Sequence, residues 1–366
     1  MITNSSTLFR YISTHFLRNM LIAIVVLLGL IFVIHTIELL RRAAARPDVS
    51  FRLVVEMSAL VLPQYAQRML PFSVLFGAIY SCWKLNNTHE LVVIRAAGIS
   101  AWQFLSPMIA TALAFGIFAT TVINPVSSIF ISKYNQMENT YLNAATSLVS
   151  VSRTGIWLRQ PLQDDGYAIL HSAAFDQKEW RLSDVSIIFF DKADNFTKRI
   201  DSPVAVLKDG YWEIQQAVTN ERKGDPVHTA LEKLPTELTG QKIEESFADP
   251  ETISFWSLPD YIHIMEETGF PAVRLHIQLQ ALLAKPLLFM AMVLLAATFS
   301  LRPPRFGGAG AMIALGVAAG FFIFFMESML NTFGISQKIP VYMAAWTPAI
   351  VSLLLGITAL LHLEDG

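Results

Sequence analysis

Long apolar runs are the feature that most constrains the fold of this chain. The hydrocarbon core of a bilayer is about 30 Å thick, and a helix that rises 1.5 Å per residue crosses it with about 20 mostly apolar residues. The sequence contains six such runs, at residues 20–40, 57–82, 102–126, 277–301, 309–333 and 341–362. It therefore predicts a polytopic α-helical membrane protein with six transmembrane helices.

The composition supports this prediction and narrows the function. Hydrophobic residues make up 53% of the chain and charged residues 15%, whereas soluble domains carry about 25% charged residues. The formal net charge of -2 gives no reason to expect a nucleic-acid partner. The single cysteine, Cys82, excludes an intrachain disulfide framework and a cysteine-built metal site. We expect neither a metal nor a cofactor to be bound by this chain.

A water-soluble domain is predicted between the third and fourth apolar runs. Residues 130–258 hold most of the acidic residues and lysines, and Asp-Gly and Lys-Gly pairs there separate short segments rich in β-branched and aromatic residues. This pattern is typical of an all-β domain. We therefore expect an N-terminal membrane half at 1–129, an all-β insert at 130–258 and a C-terminal membrane half at 259–366.

Arginine and lysine in the short loops predict the orientation, because cytoplasmic loops carry an excess of these residues. The cations that define the inner side are Arg10, Arg18, Lys84, Arg95, Arg302 and Arg305. They predict cytoplasmic termini and a β-insert on the outer side. Arg41, Arg42 and Arg46 break the pattern, since they follow the first run on the outer side. The first two stand where signal-peptide cleavage requires small neutral residues, so we expect the first run to be retained.

The exceptional arginines mark the first candidate site. His35, Glu38 and Arg42 are spaced to share one helix face, and Arg41 is adjacent. Charges at membrane depth usually mark a substrate pathway, and arginine binds phosphate with two hydrogen bonds. One interpretation is therefore a polar stripe that binds an anionic ligand. The alternative is that the arginines extend to lipid headgroups, with Glu38 as an internal partner.

The loop between the second and third runs holds the second candidate site. Asn87 and Glu90 have capping-box spacing, and Gly98 suits the end of a helix, so a short helix is expected at about 87–98. Its apolar face would dock on another protein or lie on the inner leaflet. The candidate docking residues are Asn87, Glu90, Leu91, Ile94, Arg95 and Gly98.

Motifs for nucleotide chemistry are absent from the sequence. It has no G-x-x-x-x-G-K-[ST] phosphate loop, no H-E-x-x-H zinc motif and no G-x-S-x-G elbow. The chain is therefore not expected to be an enzyme, and ATP hydrolysis that drives transport would belong to another chain. An ion-driven transporter is a weaker alternative, because we find no internal repeat of the kind common in those folds.

Several stretches together resemble the lipopolysaccharide export permeases of the LptF/LptG family. They are residues 70–77 (LPFSVLFG), 90–98 (ELVVIRAAG), 155–157 (GIW), 339–340 (IP) and 344–348 (AAWTP). The resemblance covers essentially the whole chain, and the order of three spans, an insert and three spans also fits. The arginine pair after the first run and the GIW stretch look more like the LptG branch than the LptF branch.

The resemblance implies an assembly in the inner membrane of a Gram-negative bacterium. The chain would pair with an LptF-type permease above a cytoplasmic dimer of LptB-type ATPases, where ATP and Mg²⁺ bind. The insert would be a jellyroll-like domain that passes lipopolysaccharide to LptC/LptA-type bridge proteins in the periplasm. The helix around Glu90 would be the coupling helix that enters the ATPase.

Lipopolysaccharide would enter between the first and fifth helices of the paired permeases. Glu38, Arg41 and Arg42 match an acidic and two often basic family positions, and His35 stands where a relative can have lysine. The candidate substrate contacts are His35, Glu38, Arg41, Arg42, Phe321, Phe325 and Glu327. An alternative of a different class is a non-transporting membrane scaffold whose insert recruits periplasmic partners.

Overall fold

The computed structural model describes residues 6–44, 49–142, 149–152, 155–162, 166–176, 179–192, 195–221, 225–236, 249–267, 272–300 and 309–364. The chain forms two compact units. The membrane unit contains Met1–Asn143, Glu251–Trp256 and Val273–Gly366. The β unit contains Ala144–Pro250 and Ser257–Ala272.

Helices account for most of the membrane unit. In chain order the helices of the protein are α1 (Ser6–Ala43), α2 (Phe51–Asn87), α3 (Glu90–Ala96), α4 (Ala101–Phe118), α5 (Asn124–Tyr141), α6 (Leu258–Glu267), α7 (Val273–Ser300), α8 (Ala309–Ile335) and α9 (Val341–Glu364). A π-helical turn, Ala119–Ile123, joins α4 and α5 into one continuous helix. This helix continues beyond residue 129, where the sequence placed the end of the N-terminal half. The helix α6 belongs to the β unit.

Five helical segments of the described chain are long and apolar enough to cross a membrane. They are Thr7–Ala43, Ala101–Tyr141, Val273–Ser300, Ala314–Ile335 and Val341–His362. The remaining predicted run, 57–82, lies within α2, which is 37 residues long and continues through two prolines. The polar residues Gln64, Gln67 and Arg68 interrupt its apolar sequence, and α2 is not among the five segments. The prediction of a polytopic α-helical membrane protein is confirmed.

Two glycines allow the helices of the membrane unit to pack closely. A Cβ atom added to Gly77 of α2 would lie 2.6 Å from Cα of Met20 in α1. One added to Gly116 of α4 would lie 2.5 Å from Cα of Pro286 in α7. Membrane helices associate through such small-residue contacts, because lipid and side chains are equally apolar. Gly77 lies in one of the stretches that carried the family resemblance.

The β unit contains one antiparallel sheet. Its strands are β1 (Val149–Ser152), β2 (Gly155–Pro161), β3 (Tyr167–Asp176), β4 (Arg181–Phe190), β5 (Phe196–Lys208), β6 (Tyr211–Glu221) and β7 (Val227–Pro235). Each strand pairs with its neighbours in sequence, so the predicted inserted β domain is confirmed, although its unit also contains the helix α6. The described strands form a meander, whereas a true jelly roll is built from Greek keys.

One face of this sheet forms the core of the β unit. Leu158, Leu170, Ile187 and Ile200 occupy successive register positions on β2 to β5, and all four are buried. Buried and more exposed positions alternate along β3 and β4, as expected for strands with one covered face. Trp212 of β6 is fully buried.

Candidate lipid-binding face and coupling helix

The last turns of α1 carry the predicted polar stripe, and the structure divides it between two faces. His35 and Arg42 face α2 and α5. The His35 ring centroid lies 5.6 Å from that of Tyr65 and 5.9 Å from that of Tyr134. The Arg42 guanidinium pairs with the Glu138 carboxylate at 2.7 Å. Both side chains therefore help to hold α1 against its neighbours, as their spacing of seven residues allows.

Glu38 and Arg41 lie on the exposed side of the same helix. Arg41 donates from Nε and Nη2 to the two carboxylate oxygens of Glu38, at 2.9 and 2.7 Å. The Arg41 side chain is 74% exposed and that of Glu38 48%. This is the internal pair that the alternative interpretation expected. Arginine has five N–H donors, so Arg41 retains donors for a further ligand.

The exposed side of α1 is apolar below this pair. Ile34 and Ile37 are 59% and 61% exposed. The two predicted contacts on α8, Phe321 and Phe325, are also exposed, at 64% and 57%. Both helices therefore present apolar surfaces that lipid or another chain must cover in a membrane.

Glu327, the remaining predicted contact, lies in different surroundings. It lines a cavity of about 340 Å³ within the membrane unit, together with Arg68, Glu251 and Lys285. Arg68 pairs with Glu251 at 2.8 Å. The described residues that line this cavity come mainly from α2, α7, α8 and α9, and the α1 cations are not among them.

The short helix predicted at about 87–98 is present as α3, but it begins later than expected. It runs over Glu90–Ala96, and its N-cap residue is His89, which has a left-handed backbone (φ 60°) and makes no side-chain cap. The predicted capping box is therefore wrong. The physical reason is that α2 continues to Asn87, which leaves that side chain at the end of one helix and not at the start of the next.

The faces of α3 also differ from the expectation. Leu91 is 5% exposed and belongs to the core of the membrane unit, and Ile94 packs against that core. The apolar side chains on the outside are Val92 and Val93, which are 58% and 69% exposed. The exposed apolar surface is thus one residue out of phase with the predicted one, because Leu91 and Ile94 anchor the helix. Arg95 is exposed, as predicted.

Hydrogen bonds fix the two ends of α3. The Glu90 carboxylate accepts a hydrogen bond from Thr88 Oγ1 at 2.9 Å and one from Tyr11 Oη of α1 at 3.0 Å. Gly98 follows the helix with φ +80°, and its N–H donates to the Arg95 carbonyl at 3.0 Å. The C-cap residue is Ala97, one residue before the predicted one, and Gly98 occupies the next position, where glycine adopts a positive φ without strain.

Sequence reasoning missed Glu138, Tyr11 and the exposed valines of α3. Glu138 is distant in sequence from Arg42, and no local sequence pattern indicates that the two side chains form an ion pair. The exposure of Val92 and Val93 could have been predicted, because a helix that starts at Glu90 and buries Leu91 must turn them outward.

Among the described residues, no group of histidine, cysteine, aspartate and glutamate could hold a metal ion.

Comparison with known proteins identifies the family of this chain. The profile of the family described as "Lipopolysaccharide export system permease LptF/LptG" matches residues 10–362. The chain is 24% identical over 351 residues to the lipopolysaccharide export system permease protein LptG of Haemophilus influenzae, covering 94% of this chain and 96% of that protein.

A second relative is the protein of the same name from Escherichia coli K12. It is 22% identical over 299 residues, which cover 79% of this chain and 80% of that protein. The profile match extends over nearly the whole sequence, and both relatives are LptG proteins, as the arginine pair and the GIW stretch indicated. The chain belongs to the LptF/LptG family of lipopolysaccharide export permeases of the inner membrane.

Proposed function

We propose that this chain is the LptG-type permease subunit of an ABC transporter that extracts lipopolysaccharide from the inner membrane. The observation that carries the proposal is the outer face of α1, where exposed apolar residues end in the exposed Arg41. This arrangement suits an amphiphile whose acyl chains lie on Ile34 and Ile37 while its phosphate meets the guanidinium. The exposed phenylalanines of α8 would form a second apolar wall.

Each side chain of the former stripe then has a distinct task. Arg41 binds the phosphate, and Glu38 holds the guanidinium in place between substrate molecules. Arg42, through Glu138, and His35, between two tyrosines, keep α1 in position. The lipid would occupy a cavity between this chain and a partner permease. Its release requires that these groups bind better when that cavity is open than when it is closed, because only differential affinity can drive transport.

Movement of the ATPase would reach the cavity between the two permeases through α3. We propose that a partner ATPase dimer of the LptB type binds ATP and Mg²⁺ and receives Val92, Val93 and Arg95 in a groove. Glu90 would transmit the movement to α1 through its hydrogen bond with Tyr11. Closure would narrow the cavity between this chain and an LptF-type permease and expel the lipid. The β unit would receive it in the periplasm and pass it to LptC/LptA-type bridge proteins.

Crosslinking of lipopolysaccharide to the purified complex tests the substrate site. A photoreactive residue at position 37 should crosslink to lipopolysaccharide, and Arg41→Glu should reduce the yield about tenfold. The matched control is Arg52→Glu, which reverses another exposed cation, in the first turn of α2. An equal yield from wild type and Arg41→Glu would refute the phosphate role.

Disruption of the coupling helix separates transport from a scaffold. Glu90→Lys removes the acceptor for Tyr11 and places a cation beside the exposed valines. We expect the variant to insert in the membrane but to lose the ATPase or export activity. Normal growth and normal ATPase association in this variant would favour the scaffold alternative.

A further inference from the structure

A basic groove lies at the N-terminal end of α1, away from the proposed substrate face, and shares Tyr11 with the proposed coupling path. Its volume is about 790 Å³, within the range of about 300–1,000 Å³ that ligand pockets occupy. Its lining residues are Thr7, Arg10, Tyr11, Thr14, His15 and Arg18 of α1 and Lys84 of α2.

The charges in this groove are unbalanced. Within the described part of the chain, Arg10, Arg18 and Lys84 form no ion pair. The carboxylate that reaches the groove wall is Glu90, which accepts hydrogen bonds from Tyr11 and Thr88. Three cations therefore face one groove and leave it attractive to an anion. Arginine and lysine are the residues that recognise phosphate most effectively.

The floor of the groove carries a buried donor. His15 is 8% exposed, and its Nδ1 lies 3.2 Å from Nδ2 of Asn19, which also donates to Ser81 Oγ at 2.8 Å. The Asn19 Nδ2 group is a donor, so this contact is a hydrogen bond when Nδ1 accepts, which in the neutral imidazole places the proton on Nε2. The contact with Asn19 holds the imidazole in one orientation. Its Nε2–H group can then donate a hydrogen bond to an anionic oxygen.

The surroundings of the groove favour a lipid as the source of that anion. Tyr11 of the groove is 46% exposed, and one turn beyond Arg18 the side chains of Leu21 and Ile22 are 45% and 55% exposed. Basic, aromatic and aliphatic side chains follow one another along α1, as they do where a helix meets a membrane surface. A soluble anion would make no use of the apolar side chains.

We propose that this groove binds the phosphate of an anionic phospholipid. The phosphate would lie between Arg10, Arg18 and Lys84, with His15 as a donor, and the acyl chains would follow Leu21 and Ile22. The site is separate from the proposed substrate face at the opposite end of α1, and it does not depend on the proposed function.

Lipid retention by the full chain, purified in the complex in which it assembles, tests the proposal. The complex is equilibrated with equal amounts of phosphatidylglycerol and phosphatidylcholine in detergent, and the bound lipid is counted by mass spectrometry. We expect wild type to retain phosphatidylglycerol preferentially. The variant Arg10→Gln/Arg18→Gln/Lys84→Gln should retain at least about tenfold less, since each cation near the surface contributes.

The matched control removes the same charge from three exposed cations elsewhere, as Arg52→Gln/Lys133→Gln/Lys338→Gln. It should retain phosphatidylglycerol as wild type does, and equal losses in both triple variants would overturn the proposal. Displacement by an equal concentration of inorganic phosphate would assign the groove to a soluble anion instead. Unchanged lipid retention with loss of the ATPase subunit would make the groove a protein-docking surface, which also overturns the lipid proposal.

Discussion

The helices α1 and α7 are both apolar enough to cross a membrane, yet they have opposite places in the molecule. In the most apolar part of α1, 11% of the residues are buried, compared with 67% in α7. The buried stretch of α7 is rich in small side chains, such as Ala291, Ala296 and Ala297. The corresponding stretch of α1 carries bulky aliphatic side chains that remain exposed, such as Val25 and Val26.

This difference separates two tasks within one helical unit. Small residues let helices approach one another closely, so α7 can serve as the central packing element. The bulky exposed residues of α1 leave that helix available to lipid and to other chains, and both proposed lipid sites lie on it. Substitutions that act on buried or exposed positions of these helices should therefore differ sharply in their effect on stability.

The largest effect is expected from Gly116→Ala at the crossing of α4 and α7. The added Cβ would lie 2.5 Å from Cα of Pro286, and backbone atoms cannot move aside as a side chain can. Overpacking of this kind should destabilise the protein by about 3 kcal/mol. Thermal unfolding in detergent measures it. The control is Gly29→Ala on α1, where nothing lies within 4 Å of the added atom, and a similar loss there would refute the comparison.

A smaller effect is expected from Leu39→Ala on α1. Leu39 is fully buried against α2 and α5, so its truncation leaves a cavity and should destabilise by about 2 kcal/mol. Ile37→Ala is the matched variant, because Ile37 is 61% exposed and should change stability by less than about 0.5 kcal/mol. Equal unfolding midpoints for the two variants would mean that α1 has no distinct inner face.

Ion pairs at the end of α1 provide a weaker test of the same distinction. Arg42→Ala leaves Glu138 without this partner, and because the pair is partly screened by solvent, we expect a loss of about 1 kcal/mol. Arg41→Ala should leave the unfolding midpoint unchanged, because its pair with Glu38 is exposed. The reverse order of the two midpoints would contradict the assignment of Arg42 to packing and Arg41 to ligand binding.

Much of the fold could be predicted from the sequence, because hydropathy and strand alternation are local properties. The apolar runs coincide with helices, and the turn-bounded segments of the insert coincide with strands. The division of the polar stripe could not be predicted in this way. Periodicity places His35 and Arg42 on one face, but it does not show that Tyr134 and Glu138 of α5 lie opposite that face.

The connector between α2 and α4 shows how a local signal can mislead. Asn87 and Glu90 have the spacing of a capping box. However, α2 extends to Asn87, so this residue ends that helix and cannot cap α3. The packing of Leu91 then decides which valines face outward. Gly98 was predictable, since many helices end next to a residue with positive φ and glycine adopts that conformation without strain.

The smallest effect on stability is expected at these valines, although their effect on assembly should be large. Val93→Asp replaces a 69% exposed side chain and should leave the unfolding midpoint of the isolated chain within about 0.5 kcal/mol of wild type. If α3 enters an apolar groove of the ATPase, the buried carboxylate would be left unpaired there, and co-purification of the ATPase should fall about tenfold or more. Lys338→Asp, on an exposed turn of the same unit, is the control. Full ATPase recovery with Val93→Asp would show that the exposed face of α3 serves the membrane surface and not the partner.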